Sequence, residues 1–159
     1  MGNRAVITTE SARKNIRGYE RDYIIQQSDE IGVYLHWNGG RDSVQAFLKY
    51  CDMRGFRSPE SDSYGWARLV QVISNFMGPE GLSIGIDSCK YLDCDNYDNG
   101  VYIIKDWKII GRAFFEGMEQ DEYNLYEMLV SIDEAQPVAQ QIGAEKIKEL
   151  LEAEGNDNQ

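Results

Sequence analysis

The chain has little of several residue types, and each shortage narrows what the protein can do. Its 159 residues include only three cysteines, three prolines and one histidine. No apolar run reaches the roughly 20 residues that a membrane-spanning helix needs, and the first ten residues do not have the pattern of a secretory leader. Three cysteines without a paired spacing are typical of a reducing compartment. We therefore expect a cytoplasmic protein with no membrane contact.

Catalytic and cofactor signatures are also scarce. His36 is the only histidine, so a histidine-dependent catalytic triad has a single candidate base. The sequence has no nucleophile elbow and no cofactor fingerprint, and Cys89 and Cys94 lack the spacing and the partners of a zinc site. We expect a protein that is not an enzyme and that holds no cofactor and no metal.

Hydrophobic periodicity predicts an α+β fold. Val44, Phe47, Leu48 and Cys51 repeat at helical spacing after the turn Asn38-Gly39-Gly40, and Asp42 is expected to cap that helix. A second helix is predicted from Trp66 to Met77, and two more follow residue 120. Strands are predicted at 3–9, 31–37 and 82–88 and at Tyr23–Gln26. Residues 100–115 are predicted as two strands folded near Lys105–Asp106 or as one long bent strand. The fold is predicted as a largely antiparallel sheet of four or five strands, with two central helices and a C-terminal acidic helical pair.

Charge divides the chain into two parts. The formal net charge is −11, and residues 116–159 carry twelve acids and two bases, a net charge of −10. We predict a core domain at 1–115, with a surface excursion at 10–30, and an acidic helical segment at 116–159. A charge of this sign argues against direct nucleic-acid binding by the acidic segment, because nucleic acids bind to basic surfaces.

The acidic helical pair is the first candidate site. Glu145, Glu149 and Glu152 follow an i, i+4, i+7 pattern, which places them on one helix face. Carboxylates one turn apart approximate the phosphate spacing of one nucleic-acid strand, so the surface would attract a basic protein groove. A solvated face that keeps the protein soluble explains the same pattern. The predicted partner-binding residues are Asp121, Glu122, Glu127, Asp133, Glu134, Glu145, Glu149 and Glu152.

The segment between the second strand and the first long helix is the second candidate site. A glycine turn before a helix N-terminus can hold a phosphate, Arg41 would pair with that phosphate, and Trp37 would stack on a base. The segment does not match a Walker A loop, and a tight turn with a capped helix explains it equally. The predicted ligand-binding residues are His36, Trp37, Asn38, Gly39, Gly40 and Arg41.

Two further segments have simpler explanations. Residues 92–100 resemble a calcium loop in their Asp and Asn content, but Tyr97 stands where a ligand oxygen is required, so a turn rich in Asx residues is the better interpretation. Arg13, Lys14, Arg17 and Arg21 alternate with tyrosines in a pattern that can bind nucleotides. Acidic neighbours dilute that segment, and a surface loop explains it equally.

Four segments together resemble a protein family. NRAVIT, YLHWNGGRDSVQAFL, YGWARLVQVISNF and GVYII…WKIIGR are similar to a group of small uncharacterised proteins encoded by phages, prophages and other mobile elements. The resemblance covers residues 1–10 and 31–112, and the excursion at 10–30 and the acidic end depart from it. It implies a setting inside an infected host cell and assigns no functional residue. Small acidic phage proteins are often inhibitors of host defence. Such inhibitors include anti-CRISPR proteins and proteins that sequester defence nucleotides.

The sequence therefore leads to three functional hypotheses. The first is a non-enzymatic, phage-type anti-defence protein, similar to an anti-CRISPR inhibitor, whose acidic helices bind the basic nucleic-acid-binding groove of a host nuclease. The second is a protein that sequesters a nucleotide ligand at residues 36–41. The third is an oligomeric structural protein with Trp66 and the strand region 100–115 at contacts between copies.

Overall fold

The computed structural model describes residues 2–13, 21–78, 83–119 and 121–157. Five strands form one sheet in the order β3-β2-β1-β4-β5. The strands are β1 (Ala5–Thr9), β2 (Ile31–Leu35), β3 (Ile84–Ser88), β4 (Val101–Lys105) and β5 (Lys108–Ala113). Only β1 and β4 run parallel among these neighbours, so the sheet is mixed and mostly antiparallel. The predicted α+β class is confirmed.

Five helices accompany the sheet in the described residues. They are α1 (Arg21–Gln26), α2 (Arg41–Met53), α3 (Ser63–Met77), α4 (Leu125–Glu134) and α5 (Ala144–Asp157). Short 3-10 turns lie at Glu10–Arg13, Cys89–Tyr91 and Val138–Gln140. No helix in the described ranges is long and apolar enough to cross a membrane.

The main core lies between the sheet and the four longer helices. Alternate residues of a strand face opposite sides of a sheet, and Ile7, Leu35 and Ile104 face the side that α2 and α3 cover. The buried side chains of Leu129 on α4 and Ile147 on α5 belong to this same core. Residues on both sides of the predicted division at residue 115 therefore share one core.

A smaller core covers the opposite face of the sheet. Val6 and Ile103 pack there against Ile25 of α1 and against the buried thiols of Cys89 and Cys94. The strand predicted at Tyr23–Gln26 is wrong, because this segment is the C-terminal part of α1. The Gln26 side chain donates hydrogen bonds to the carbonyls that follow β3, and these tertiary contacts hold the short helix in place.

Of the two arrangements predicted for residues 100–115, the folded pair of strands is correct, with a turn at Asp106 and Trp107 between β4 and β5. Both turn residues have positive φ angles, of 51° and 62°, as a two-residue type I′ turn requires. A tryptophan is unusual at such a position. Its indole N–H donates a 2.8 Å hydrogen bond to the carbonyl of Phe56 and its ring is buried, so burial offsets the backbone strain.

Candidate functional site

A cavity of about 680 Å³ opens at one end of the sheet, where β2 ends and where β1 and β4 begin. Its size lies within the range of small-molecule sites. Four segments of the chain that are distant in sequence contribute to its walls. They supply aromatic side chains, carboxylates, amides, glycines and one methionine: Trp37, Tyr97, Phe115 and Tyr123; Asp42, Asp98 and Glu122; Asn3, Asn38 and Asn99; Gly2, Gly40 and Gly117; and Met118.

Backbone contacts fix the turn after β2 at the edge of this cavity. The N–H of Gly39 donates to the carbonyl of Asn3 at 2.8 Å, and the N–H of Asn3 donates to the carbonyl of His36 at the same distance. A Cβ at Gly39 would lie 2.4 Å from the Asn3 carbonyl oxygen. The buried hydroxyl of Tyr102 also donates to the Gly39 carbonyl at 2.6 Å. This turn requires glycine because the N-terminal chain passes so close to it.

The carboxylate of Asp42 connects the first turn of α2 to the closing segment, residues 115–119 and 121–123, which contributes one wall of the cavity. One oxygen accepts hydrogen bonds from the backbone N–H groups of Glu122 and Tyr123, at 2.7 and 2.8 Å. The other accepts from the N–H of Ser43. The prediction that Asp42 caps α2 is wrong, because Gly40 is the N-cap residue and Asp42 lies within the first turn. A fixed negative charge therefore stands where a bound phosphate would need positive potential.

Arg112 contacts the first part of the closing segment, at Phe115 and Glu119. Its guanidinium carbon lies 3.9 Å from the ring centres of both Tyr102 and Phe115. The same group forms an ion pair with Glu119 and donates a 2.7 Å hydrogen bond to the carbonyl of Asn99. Burial lowers the pKa of Arg112. Since a guanidinium stays charged in proteins, this residue is a permanent cationic link between β5 and residues 115–119.

Asp98 stands on the β4 side of the cavity and is paired with Arg4. Its Oδ2 accepts from the Nε of Arg4 at 2.8 Å and from the Arg4 backbone N–H at 3.0 Å. Burial alone would raise the pKa of Asp98, but the hydrogen bonds and the charge of Arg4 outweigh burial and lower it. The carboxylate is therefore ionised at neutral pH.

A buried amide organises the loop before β4. The side-chain oxygen of Asn96, Oδ1, accepts hydrogen bonds from the backbone N–H groups of Asp98 and Gly100. The side-chain NH₂ group donates to backbone carbonyls of the same loop. The turn interpretation of residues 92–100 agrees with these contacts. In the ranges that the structure describes, no three histidine, cysteine or acidic side chains are placed to share a metal ion.

The residues predicted at 36–41 do not meet in one site. Trp37, Asn38 and Gly40 line the cavity. His36 is used elsewhere, since its Nδ1 lies 2.8 Å from the hydroxyl of Tyr34. Arg41 pairs with Glu119 at 3.7 Å and lines a separate cavity beside α2. Of the basic excursion, Lys14 and Arg17 lie outside the described residues, as does the side chain of Arg21.

Seven of the eight predicted partner-binding acids have exposed side chains. Glu145, Glu149 and Glu152 lie on the outer face of α5, and Ile147 on the inner face is fully buried. Glu127 and Glu134 are exposed on α4. The remaining two, Asp121 and Glu122, belong to the segment that leads into α4, and Glu122 also lines the cavity.

Asp133 is the exception, and its prediction as a surface residue is wrong. Its side chain is 3% exposed. The carboxylate accepts a 2.6 Å hydrogen bond from the hydroxyl of Tyr50 and two more from the backbone N–H groups of Ile142 and Gly143. Asp133 therefore connects α2 to the start of α5 and does not face a partner.

Sequence reasoning missed most of the cavity. Tyr97, Phe115 and Tyr123 belong to irregular segments without periodicity, and nothing in their local sequence indicates a common site. One signal in the sequence was Tyr97, an aromatic residue among the acids and amides of the loop at 92–100. In the structure this tyrosine remains 88% exposed. Comparisons with protein-family models, with curated proteins and with solved structures returned no match to this chain.

Proposed function

We propose that the protein is a non-enzymatic inhibitor of the phage anti-defence type, which binds the basic nucleic-acid-binding groove of a host nuclease. The observation that carries this proposal is the row of exposed carboxylates on α5, at Glu145, Glu149 and Glu152. Successive members of this row are separated by about 4–6 Å along the helix axis. A basic groove that accommodates a phosphate strand is complementary to such a row.

The two lysines of α5, Lys146 and Lys148, offset the charge of the row only in part. Lys146 lies 3.7 Å from Glu149, but both side chains are more than half exposed, and an exposed pair of this kind contributes little. Lys49 of α2 pairs with Glu154, beyond the end of the row. The acidic face therefore offers charge for steering a basic partner, and the attraction weakens as salt rises.

The α5 helix is anchored to the main core, which favours specific binding. Ile147 is fully buried, and Leu151 packs against the main core. The Asp133 carboxylate accepts from two N–H groups just before α5 begins. A row on an anchored helix loses less conformational entropy when it binds than a disordered acidic tail does.

The two alternative hypotheses receive less support from the geometry. A nucleotide phosphate at residues 36–41 would meet the Asp42 carboxylate at the start of α2, while Arg41 is directed to Glu119. Trp66, which the oligomer hypothesis placed at a contact between copies, is partly buried and packs against the main core.

The test is affinity capture from a host lysate, followed by elution with duplex DNA. The wild-type chain should retain a nuclease that DNA displaces, and it should inhibit that nuclease in a cleavage assay. Reversal of Glu145, Glu149 and Glu152 to lysine should abolish both effects. The matched control reverses three exposed acids elsewhere, Glu30, Asp87 and Asp95, and it should keep both. Equal inhibition by the two triple variants would refute the proposal.

A further inference from the structure

The cavity at the end of the sheet has a negative lining. Asp42, Asp98 and Glu122 contribute carboxylates, and no lysine or arginine is among the described residues that line it. In a recess, carboxylates that face a common space raise the local potential for cations, because low-dielectric walls focus the field. The lining therefore favours a positively charged ligand over a phosphate.

Two of the three carboxylates have capacity for a ligand. Asp42 uses both oxygens on backbone N–H groups. Asp98 places a single oxygen, Oδ2, on Arg4, which leaves Oδ1 without a protein donor in the described part of the chain. The Glu122 carboxylate likewise has no ion-pair or hydrogen-bond partner there, and its side chain is exposed.

Three exposed aromatic rings line the cavity beside the carboxylates. The Trp37 ring packs edge-on against His36, with 5.1 Å between the ring centres, and 37% of the residue is exposed. Tyr97 and Tyr123 are 88% and 48% exposed and line the same space. The face of an aromatic ring attracts ammonium and guanidinium groups, and tryptophan attracts them most strongly.

We propose that this cavity binds an organic cation, an alkyl compound that carries ammonium or guanidinium groups, through the carboxylates of Asp98 and Glu122 and the ring of Trp37. The cavity volume of about 680 Å³ suits a small molecule of this kind. This proposal does not depend on the acidic face of α5. It also reverses the ligand charge predicted for residues 36–41, because the walls contributed by residues 97–99, 115–118 and 122–123 are acidic and aromatic.

The experiment is a titration of the full chain with agmatine, which carries one guanidinium and one ammonium group. Binding is followed by calorimetry and by the indole N–H signal of Trp37 in NMR spectra. AMP serves as the anionic counterpart. We expect saturable binding of agmatine with a shift of the Trp37 signal and no binding of AMP. No saturable binding of agmatine at millimolar concentration, or binding of AMP to the cavity, would overturn the proposal.

A matched pair of variants separates cavity binding from general attraction to an acidic protein. Glu122→Gln and Glu145→Gln each remove one exposed carboxylate from the acidic segment, and only Glu122 lines the cavity. We expect Glu122→Gln to weaken agmatine binding about threefold and Glu145→Gln to leave it unchanged. Trp37→Leu should weaken it about tenfold. Equal affinities for the wild type and all three variants would mean that the cation binds elsewhere.

Discussion

The hydroxyl of Tyr50 and the carboxylate of Asp133 lie 2.6 Å apart, and both side chains are buried. Two backbone N–H groups at Ile142 and Gly143 also donate to this carboxylate. One carboxylate therefore joins α2, α4 and the connection that leads into α5. Burial and the contact with Asp133 raise the pKa of Tyr50 strongly, so the phenol remains a hydrogen-bond donor at every physiological pH.

We predict that loss of either partner destabilises the fold. Tyr50→Phe removes one donor from a buried carboxylate, and Asp133→Asn replaces the charged acceptor of three donors. Each should lower the free energy of unfolding by about 1–3 kcal/mol, as measured by urea denaturation. Glu134→Gln is the control, because Glu134 is the next residue along the chain and its side chain is exposed. This substitution should change the free energy of unfolding by less than about 0.5 kcal/mol. Wild-type stability in both core variants would contradict the assigned role.

The Arg4–Asp98 pair predicts a dependence of stability on pH. The pKa of Asp98 is lower in the folded protein than its ordinary value, so its ionised form stabilises the fold. That contribution is fully present above the unfolded pKa of about 3.9, and it is lost as the pH falls through the lower folded-state pKa. Asp98→Asn should therefore be less stable than the wild type at pH 7, and the difference should shrink below about pH 4.

Urea titrations of Asp98→Asn and the wild type at a series of pH values measure this difference. Asp95→Asn supplies the comparison, because Asp95 is an exposed neighbour in the same loop, and its curve should follow that of the wild type. A difference between Asp98→Asn and the wild type that stays constant from pH 7 to pH 3 would contradict the prediction.

The thiols of Cys51, Cys89 and Cys94 are predicted to be unreactive in the folded protein. All three are buried and free. Burial raises the pKa of each thiol, to about 12 for Cys94, and the thiolate is the form that reacts. We expect a disulfide reagent to modify all three in denaturant and to modify none rapidly in buffer. Rapid modification of any of the three thiols in the native protein would contradict this prediction, because it would show that the core around that thiol opens.

Regular elements of the fold were predictable where local pattern and tertiary burial agree. Val44, Phe47, Leu48 and Cys51 repeat at helical spacing, and all four are buried on α2. Asp133 shows where this reasoning fails. It lies eight residues after Leu125, on the buried face of α4, so helical spacing directs it inward, whereas an acid without partners is normally solvated. Its burial depends on donors from α2 and from the α4–α5 connection, which helical periodicity does not register.

The cavity was beyond prediction for a similar reason. Its walls come from residues 2–3, 37–42, 97–99, 115–118 and 122–123, and only the second of these segments was predicted as a ligand site. The sign of its charge depends on which distant loops fold over the glycine turn. The sequence at 36–41 alone suggested a phosphate, because the acids at 98 and 122 became its neighbours only through the sheet order and the closing segment.

The parallel pairing of β1 with β4 has a consequence for how the chain folds during synthesis. β1 lies at the centre of the sheet, and it pairs Val6 with Val101. Until the ribosome has released the chain beyond β4, the N-terminal strand can pair only with β2, and the backbone N–H and C=O groups on the edge that will receive β4 stay unpaired. Non-local pairing of this kind slows folding and leaves strand edges exposed to aggregation. A nascent chain truncated before residue 100 is therefore the form most in need of a chaperone.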